Sequence, residues 1–240
     1  MVFQNTFKRY ELKYMLTKQQ QDAIIQEMKP YMALDQYGRV IIRNLYFDTE
    51  NYRLIRHSME KPVYKEKLRI RSYSQVADDG EVFVELKKKF NGIVYKRRLA
   101  MPQNEALYWL AGNTTIQPPG QIGAEIDYFR QYYGDLHPAV FLSYAREAWY
   151  SLDGNDFRVT FDDSILCRQD KLSLNTSPEG TPLLPDDMVL MEVKTSGGMP
   201  LWMSHFLNQH QIYKTSFSKY AAAYTTLIFP TKHKGVFTHE

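Results

Sequence analysis

Between Lys65 and Lys96 the chain reads KEKLRIRSYSQVADDGEVFVELKKKFNGIVYK, and its charges fall on alternate positions. Lys67, Arg69 and Arg71 alternate with Leu68, Ile70 and Ser72. After the turn at Asp78-Asp79-Gly80, Glu85 and Lys87 alternate with Val84, Leu86 and Lys88. Side chains along a strand point to opposite faces with a period of 2, so Arg69 and Arg71 share a face, as do Glu85 and Lys87. One such pattern would mark only a half-buried strand with a wet polar face. Here the pattern recurs: Glu11 with Lys13, Lys96 with Arg98, Tyr144 with Arg146, Arg158 with Thr160 and Asp162, and Leu190 with Glu192 and Lys194.

Gathered on one side of a sheet, these strands bring together Lys13, Arg69, Arg71, Lys87, Lys96, Arg98, Arg146, Arg158 and Lys194. The anions among them are Glu11, Glu85, Asp162 and Glu192. Two unit charges ~4 Å apart at an effective dielectric of ~20 repel by about 4 kcal/mol. Four carboxylates cannot neutralise nine cations, so the excess predicts a polyanionic ligand. Arginine pairs present planar forks suited to phosphate oxygens, and the carboxylates among them suit Mg²⁺ or Mn²⁺, which binds one or two carboxylates together with substrate phosphates. The expected chemistry is a metal-dependent site for a chain of phosphates. Motifs for other chemistries are missing: no G-x-x-x-x-G-K-[ST], G-x-G-x-x-G before a helix, H-E-x-x-H or G-x-S-x-G occurs. His57, His137, His205, His210, His233 and His239 are scattered and read as surface or core residues.

The elements that position these residues alternate between strand and helix. Strands are expected at Phe7–Leu16, Arg39–Phe47, the two arms of the central hairpin, Ile93–Met101, Ala139–Tyr150, Phe157–Phe161, Ser164–Leu174 and Met188–Thr195. Thr17, with Gln20 three residues on, has the form of a capping box for a helix that Pro30 ends. Asp48 or Thr49 starts a short helix through Met59. Others are expected at Pro102–Gly112, Gln121–Tyr133, Leu201–His210 after Pro200, and from Ser216 or Ser218 to Leu227. Roughly eight strands, most with one apolar and one charged face, and amphipathic helices to cover the apolar faces predict an α+β fold. Its expected form is an antiparallel eight-stranded β-barrel, or tunnel, with helices packed on the outside and charges in the lumen. Residues 1–230 are expected to form a single domain and 231–240 a loosely held tail.

The bounds set by composition agree. The apolar fraction is 44% and the net charge only +3, which excludes a globally basic nucleic-acid-binding protein. Cys167 is the only cysteine, so no internal disulfide or cysteine zinc cluster is expected. The N-terminus lacks a signal pattern, and Ala221–Pro230, the most apolar late run, is too short to span a bilayer. A cytoplasmic protein without a membrane segment of its own is expected.

The series ELK, LRIRSY, VFVELKKK, YKRR, SYAREAWY, FRVTFD, LMEVK and SFSKY, in this order from about Phe7 to Tyr224, resembles the VTC domain. That is the polyphosphate polymerase domain of the CYTH superfamily, or triphosphate tunnel metalloenzymes. The resemblance implies a basic-walled tunnel with a divalent cation on a glutamate, and transfer of the γ-phosphate of ATP to a growing polyphosphate chain. Relatives hydrolyse triphosphates instead, so a tripolyphosphatase or nucleoside triphosphatase is the alternative, followed by a non-catalytic polyphosphate or inositol-phosphate binding module. By position, the resemblance makes Lys13, Arg69, Arg71, Lys87, Arg146 and Arg158 phosphate ligands, Glu192 the metal ligand, and Lys219 a lysine that reaches the tunnel. Strand parity had selected all of these except Lys219. Lys96, Arg98, Lys194, Glu11 and Glu85 share the same faces as substrate-binding candidates. Where the superfamily has an earlier alternating glutamate, this chain has Arg9, leaving only Glu11; that argues against a second metal and a simple triphosphatase. Eukaryotic VTC proteins also carry an SPX domain and membrane helices. This chain shows neither, which implies that regulation and any export come from a partner in trans. No nucleic-acid partner is expected, because most Tyr and Phe fall on the apolar parity.

Overall fold

The computed structural model describes residues 10–113, 116, 118 and 120–229. The expected strand start at Phe7 and the tail 231–240 lie outside the described residues. In chain order the elements are β1 (Tyr10–Thr17), α1 (Lys18–Met28), β2 (Met32–Thr49), α2 (Arg53–Met59), β3 (Tyr64–Ser72), β4 (Glu81–Phe90) and β5 (Ile93–Pro102). Then follow α3 (Gln103–Leu110), α4 (Gly120–Tyr133), β6 (Leu136–Ser151), β7 (Arg158–Arg168), β8 (Thr181–Pro182) and β9 (Met188–Thr195). The last are α5 (Leu201–Gln209), β10 (Lys214–Thr215) and α6 (Lys219–Ala223), which continues as a π-helical turn over Tyr224–Ile228.

Local signals set several of these boundaries. Thr17 Oγ1 accepts from Gln20 N at 3.2 Å while Thr17 N donates to Gln20 Oε1 at 3.0 Å; such a cap stabilises a helix start by about 1 kcal/mol. Asp48, fully buried, starts α2 from a distance. Its carboxylate accepts from Leu54 N at 2.8 Å and Ile55 N at 3.0 Å, and from the Tyr220 hydroxyl at 2.8 Å. The two short strands expected at Phe157–Phe161 and Ser164–Leu174 are one strand, β7, that ends at Arg168. At Ser164 the backbone turns to φ 48° and the β6–β7 register slips between Ser143 and Ala145. This bulge keeps the ladder continuous while reversing which residues face inward.

All strands join one antiparallel sheet in the order β10-β1-β9-β7-β6-β2-β3-β4-β5, with β8 on β7. Eight are long and two have two residues each. Among the described residues, backbone pairing does not close the sheet into the expected barrel. β10 pairs with Lys13 and Tyr14, on the edge of β1 that closure would need. The segment after it lies along the seam instead: Lys13 Nζ donates to Phe217 O at 2.8 Å, and Lys67 Nζ to Ser218 Oγ at 2.9 Å. Side chains span the seam between the curled ends, as in the 3.2 Å pair of Lys87 on β4 with Glu11 on β1.

Two apolar layers cover the convex side. One packs Leu68, Ile70, Val82, Val84 and Leu86 under Trp109 of α3 and Ile126 and Phe129 of α4. The other packs Leu16, Val159, Phe161 and Val193 under α1 and α5 through Ile24, Met28, Met203 and Phe206. Each fully buried side chain of this kind contributes about 1.5–3 kcal/mol. One helix departs from the expectation of helices outside. α6 sits on the concave side, where Tyr220, Ala223 and Tyr224 pack with Ile42, Leu142, Tyr144, Ile165 and Leu190. The reason is parity: beyond the charged half of the inner face, the same strand faces continue as apolar residues, and these need a cover.

Candidate functional site

The charged half of the concave face is organised around two buried carboxylate hubs. Glu85 on β4 forms the first. Arg69 on the neighbouring β3 donates to it at 2.7 and 2.9 Å, Lys96 on β5 pairs at 2.6 Å, Arg98 on β5 bonds both through Nε at 2.8 Å and through a shorter contact, and Arg71 Nε lies at 3.8 Å. The register sets this up, since Arg69 and Arg98 lie directly opposite Glu85 on either side. Burial alone would push the Glu85 carboxyl up; Arg69, Arg71, Lys96 and Arg98 outweigh burial and hold it well below the usual carboxylate range.

Glu192 on β9 and Asp162 on β7 form the second hub. Arg146 grips Asp162 with two bonds of 2.5 and 2.6 Å and reaches Glu192 at 3.3 Å. Lys219, the first residue of α6, bridges the same two carboxylates at 2.5 and 3.3 Å. Lys194 meets Glu192 at 2.9 Å, and Lys13 links Glu192 at 3.4 Å to Glu11 at 3.3 Å. Burial works against the charge of Glu192, and Lys194, Lys219, Arg146 and Lys13 overcome it, so its carboxyl also lies well below the usual range. Burial likewise opposes the charge of Glu11, which Lys87, Lys194 and Lys13 keep ionised. Burial would lower the Lys219 ammonium, but Asp162 and Glu192 raise it above its ordinary value.

The structure thus brings together Lys13, Arg69, Arg71, Lys87, Lys96, Arg98, Arg146, Lys194 and Lys219 with Glu11, Glu85, Asp162 and Glu192. Arg158 stands apart. It is exposed at the first position of β7, opposite Lys194 in the register, and has no ion-pair partner among the described residues. Sequence reasoning placed Tyr144 on this face but left out Asn44 and Tyr46. Arg71 bonds Asn44 Oδ1 and the Tyr144 hydroxyl, each at 2.9 Å, and Arg69 bonds the Tyr46 hydroxyl at 2.9 Å. Asn44 and Tyr46 alternate along β2 in the same way as the cations, so the period of 2 in RNLYF carried that signal. Lys67, on the parity of Arg69, also lines the face.

A divalent cation fits the donor chemistry of the second hub. Glu192, Asp162 and Glu11 offer hard oxygens, which Lys219, Arg146, Lys194, Lys13 and Lys87 hold here. Among the described residues no group of three or more His, Cys, Asp or Glu side chains is gathered closely enough to hold an ion alone. Phosphate oxygens would therefore have to complete the coordination, as is usual for Mg²⁺. Two surface pockets of about 660 and 620 Å³, beside Arg168 and beside Tyr132, lie away from this face. Among the described residues no helix is long and apolar enough to cross a membrane.

The family model described as VTC domain matches residues 8–228. A search of curated proteins finds no match. Among solved structures, a candidate adenylate cyclase from Bacillus halodurans has a TM-score of 0.54 at 16% identity, covering 89% of this chain and 95% of the other. A candidate adenylate cyclase from Vibrio parahaemolyticus has a TM-score of 0.47 at 10% identity, covering 90% and 98%. The first of these likenesses establishes a shared fold.

Proposed function

From the premise that the chain belongs to the VTC domain family, we propose that it is an ATP-dependent, divalent-metal-dependent polyphosphate polymerase. Membership carries the coarser statement, an enzyme acting on phosphates. The finer one rests mainly on one observation. Arg69, Arg71, Arg146, Lys13 and Lys219 converge on a single concave face around three buried carboxylates, Glu85, Asp162 and Glu192, with cations outnumbering anions by more than two to one. A chain of phosphates supplies the charge such a face lacks.

The residues divide the work. Arg69 and Arg71 at the first hub, and Arg146 and Lys219 at the second, would hold successive phosphates of the donor and acceptor. They would neutralise charge on the bridging oxygen as it leaves the γ-phosphorus. Lys13, Lys87 and Lys194 flank Glu11 and Glu192 and would hold the acceptor in line. Arg158 would meet the chain at the open end. Glu192 would hold Mn²⁺ or Mg²⁺, which supplies Lewis-acid polarisation of the transferred group. A polyphosphate terminus is already an anionic nucleophile, so no general base is needed. Hydrolysis would instead need a carboxylate free to orient water. Glu85 is held by four cations, which favours transfer over hydrolysis. With ATP as donor, the reaction belongs in the cytoplasm.

The test is to follow ATP by phosphorus NMR with Mn²⁺. The wild type should convert γ-phosphate into internal polyphosphate resonances, and folded Arg69→Ala and Arg146→Ala should lose that conversion. Release of orthophosphate alone would assign a hydrolase. Binding of tripolyphosphate without turnover would assign a binding module. Wild-type rates in both variants would remove the site from this face.

A further inference from the structure

Lys67 differs from the lysines that meet the two hubs. Lys13, Lys87, Lys96, Lys194 and Lys219 each have a carboxylate within ion-pair distance. Among the described residues Lys67 has none. Its Nζ instead meets Ser218 Oγ at 2.9 Å, the same oxygen that accepts from Ala221 N at 3.3 Å and caps α6.

Apart from Ser218, the charged groups that act most strongly on it are cations. Lys87 lies opposite on β4, Lys13 approaches from β1, and Lys65 and Arg69 flank it on β3. The carboxylates of the neighbourhood are committed elsewhere: Glu11 to Lys87 and Lys13, Glu85 to the arginines and Lys96, and Asp162 and Glu192 to Lys219. Burial, and then Lys87, Lys13, Lys65 and Arg69, push its ammonium down to about 7.

We propose that Lys67 is a further oligophosphate-binding residue of this face: it rests on Ser218 without an anionic partner, and gains one, with uptake of a proton from solvent, when an anionic chain arrives. The inference depends on the reading of the face as an oligophosphate site. An entering chain reverses the sign of the surroundings, so the protonated amine gains a charged partner where it previously met only cations. Binding is then linked to proton uptake, and affinity falls as pH rises above neutrality.

The experiment is calorimetric titration of the full chain with tripolyphosphate, without metal or ATP, at pH 8. It is run in two buffers of different ionisation enthalpy, which yields the number of protons exchanged. Wild type, Lys67→Arg and Lys67→Gln are compared, with thermal melts to establish folding. Lys67→Arg keeps the charge but cannot release it. The wild type should take up close to one proton more than Lys67→Arg. Lys67→Gln should show the same loss and bind about tenfold more weakly, the size of one charge-assisted hydrogen bond. If Lys67→Arg exchanges as many protons as the wild type, the inference is overturned and the reading of the face as an oligophosphate site stands. If the wild type fails to bind tripolyphosphate, the reading of the face as an oligophosphate site itself falls and takes this inference with it.

Discussion

Replacing Glu85 by Gln removes one charge and leaves the shape of the side chain unchanged. Four cations then lose their shared partner. Glu85 is 1% exposed, and Arg71 and Arg69 are 7% and 18% exposed, so water cannot replace the carboxylate for them; Arg98 and Lys96, at 33% and 43%, are partly screened. Breaking a buried pair costs about 3–5 kcal/mol. Two of the four cations reach solvent, so the lower end applies, about 3 kcal/mol. At roughly 2–4 °C per kcal/mol for a chain of this size, the melting temperature should fall by roughly 6–12 °C. Tripolyphosphate should restore much of that loss, because its oxygens supply the missing counter-charge, and should stabilise Glu85→Gln more than wild type. Leu68→Ala on the convex side is the control. Leu68 is fully buried in the outer core, so its loss costs about 2–5 kcal/mol, with no extra response to phosphate. The assay is a thermal melt with and without tripolyphosphate. The reasoning is refuted if Glu85→Gln melts within about 2 °C of wild type, or if phosphate stabilises it no more than it stabilises Leu68→Ala.

Other outcomes follow from the same geometry. Asp48→Ala strands the first turn of α2 and the buried Tyr220 hydroxyl, and should cost about 3 kcal/mol in urea unfolding; a loss under about 1 kcal/mol would contradict its capping role. Arg158→Ala should leave the melting temperature nearly unchanged but weaken tripolyphosphate binding, and unaltered affinity would remove Arg158 from the ligand set. The pH dependence has two windows. Glu85 and Glu192 are depressed in the folded state, so their contribution is complete above the unfolded value of about 4.3 and is lost as pH falls through the folded values. Lys67 and Lys96 are depressed to about 7 and about 8, burial being the first cause in each. Between there and about 10.4 the unfolded chain holds more protons, so stability rises with pH. Melting temperature should therefore drop steeply below about pH 4 and climb from pH 7 to 9, whereas a flat profile over pH 7–9 would contradict the lowered Lys67 and Lys96 ammonium groups.

Much of this was legible in the sequence, because a period of 2 survives any detail of tertiary packing. Alternation alone placed Arg69, Arg71, Glu85, Arg98, Arg146 and Glu192 on one face, and the register then joined them into hubs. Lys219 was not legible that way. It lies on a helix, and only its position in SFSKY within the resembling series identified it. Asn44 and Tyr46 were missed because uncharged side chains do not stand out, although they alternate just as the cations do. The concave position of α6 was hidden because an apolar strand face does not reveal whether it lies inside or outside a curled sheet. The bulge at Ser164 split β7 in two for the same local reason: the alternation breaks there while the backbone pairing continues.

The central claim is that this face lengthens phosphate chains with a metal held at Glu192. The most direct measurement incubates the purified protein with ATP and Mn²⁺ and resolves the products on a polyacrylamide gel stained for polyphosphate. A ladder of long chains from wild type, missing from folded Glu192→Gln and missing without Mn²⁺ or Mg²⁺, is the result the account predicts. Orthophosphate without a ladder, or a ladder that Glu192→Gln makes equally well, would contradict it.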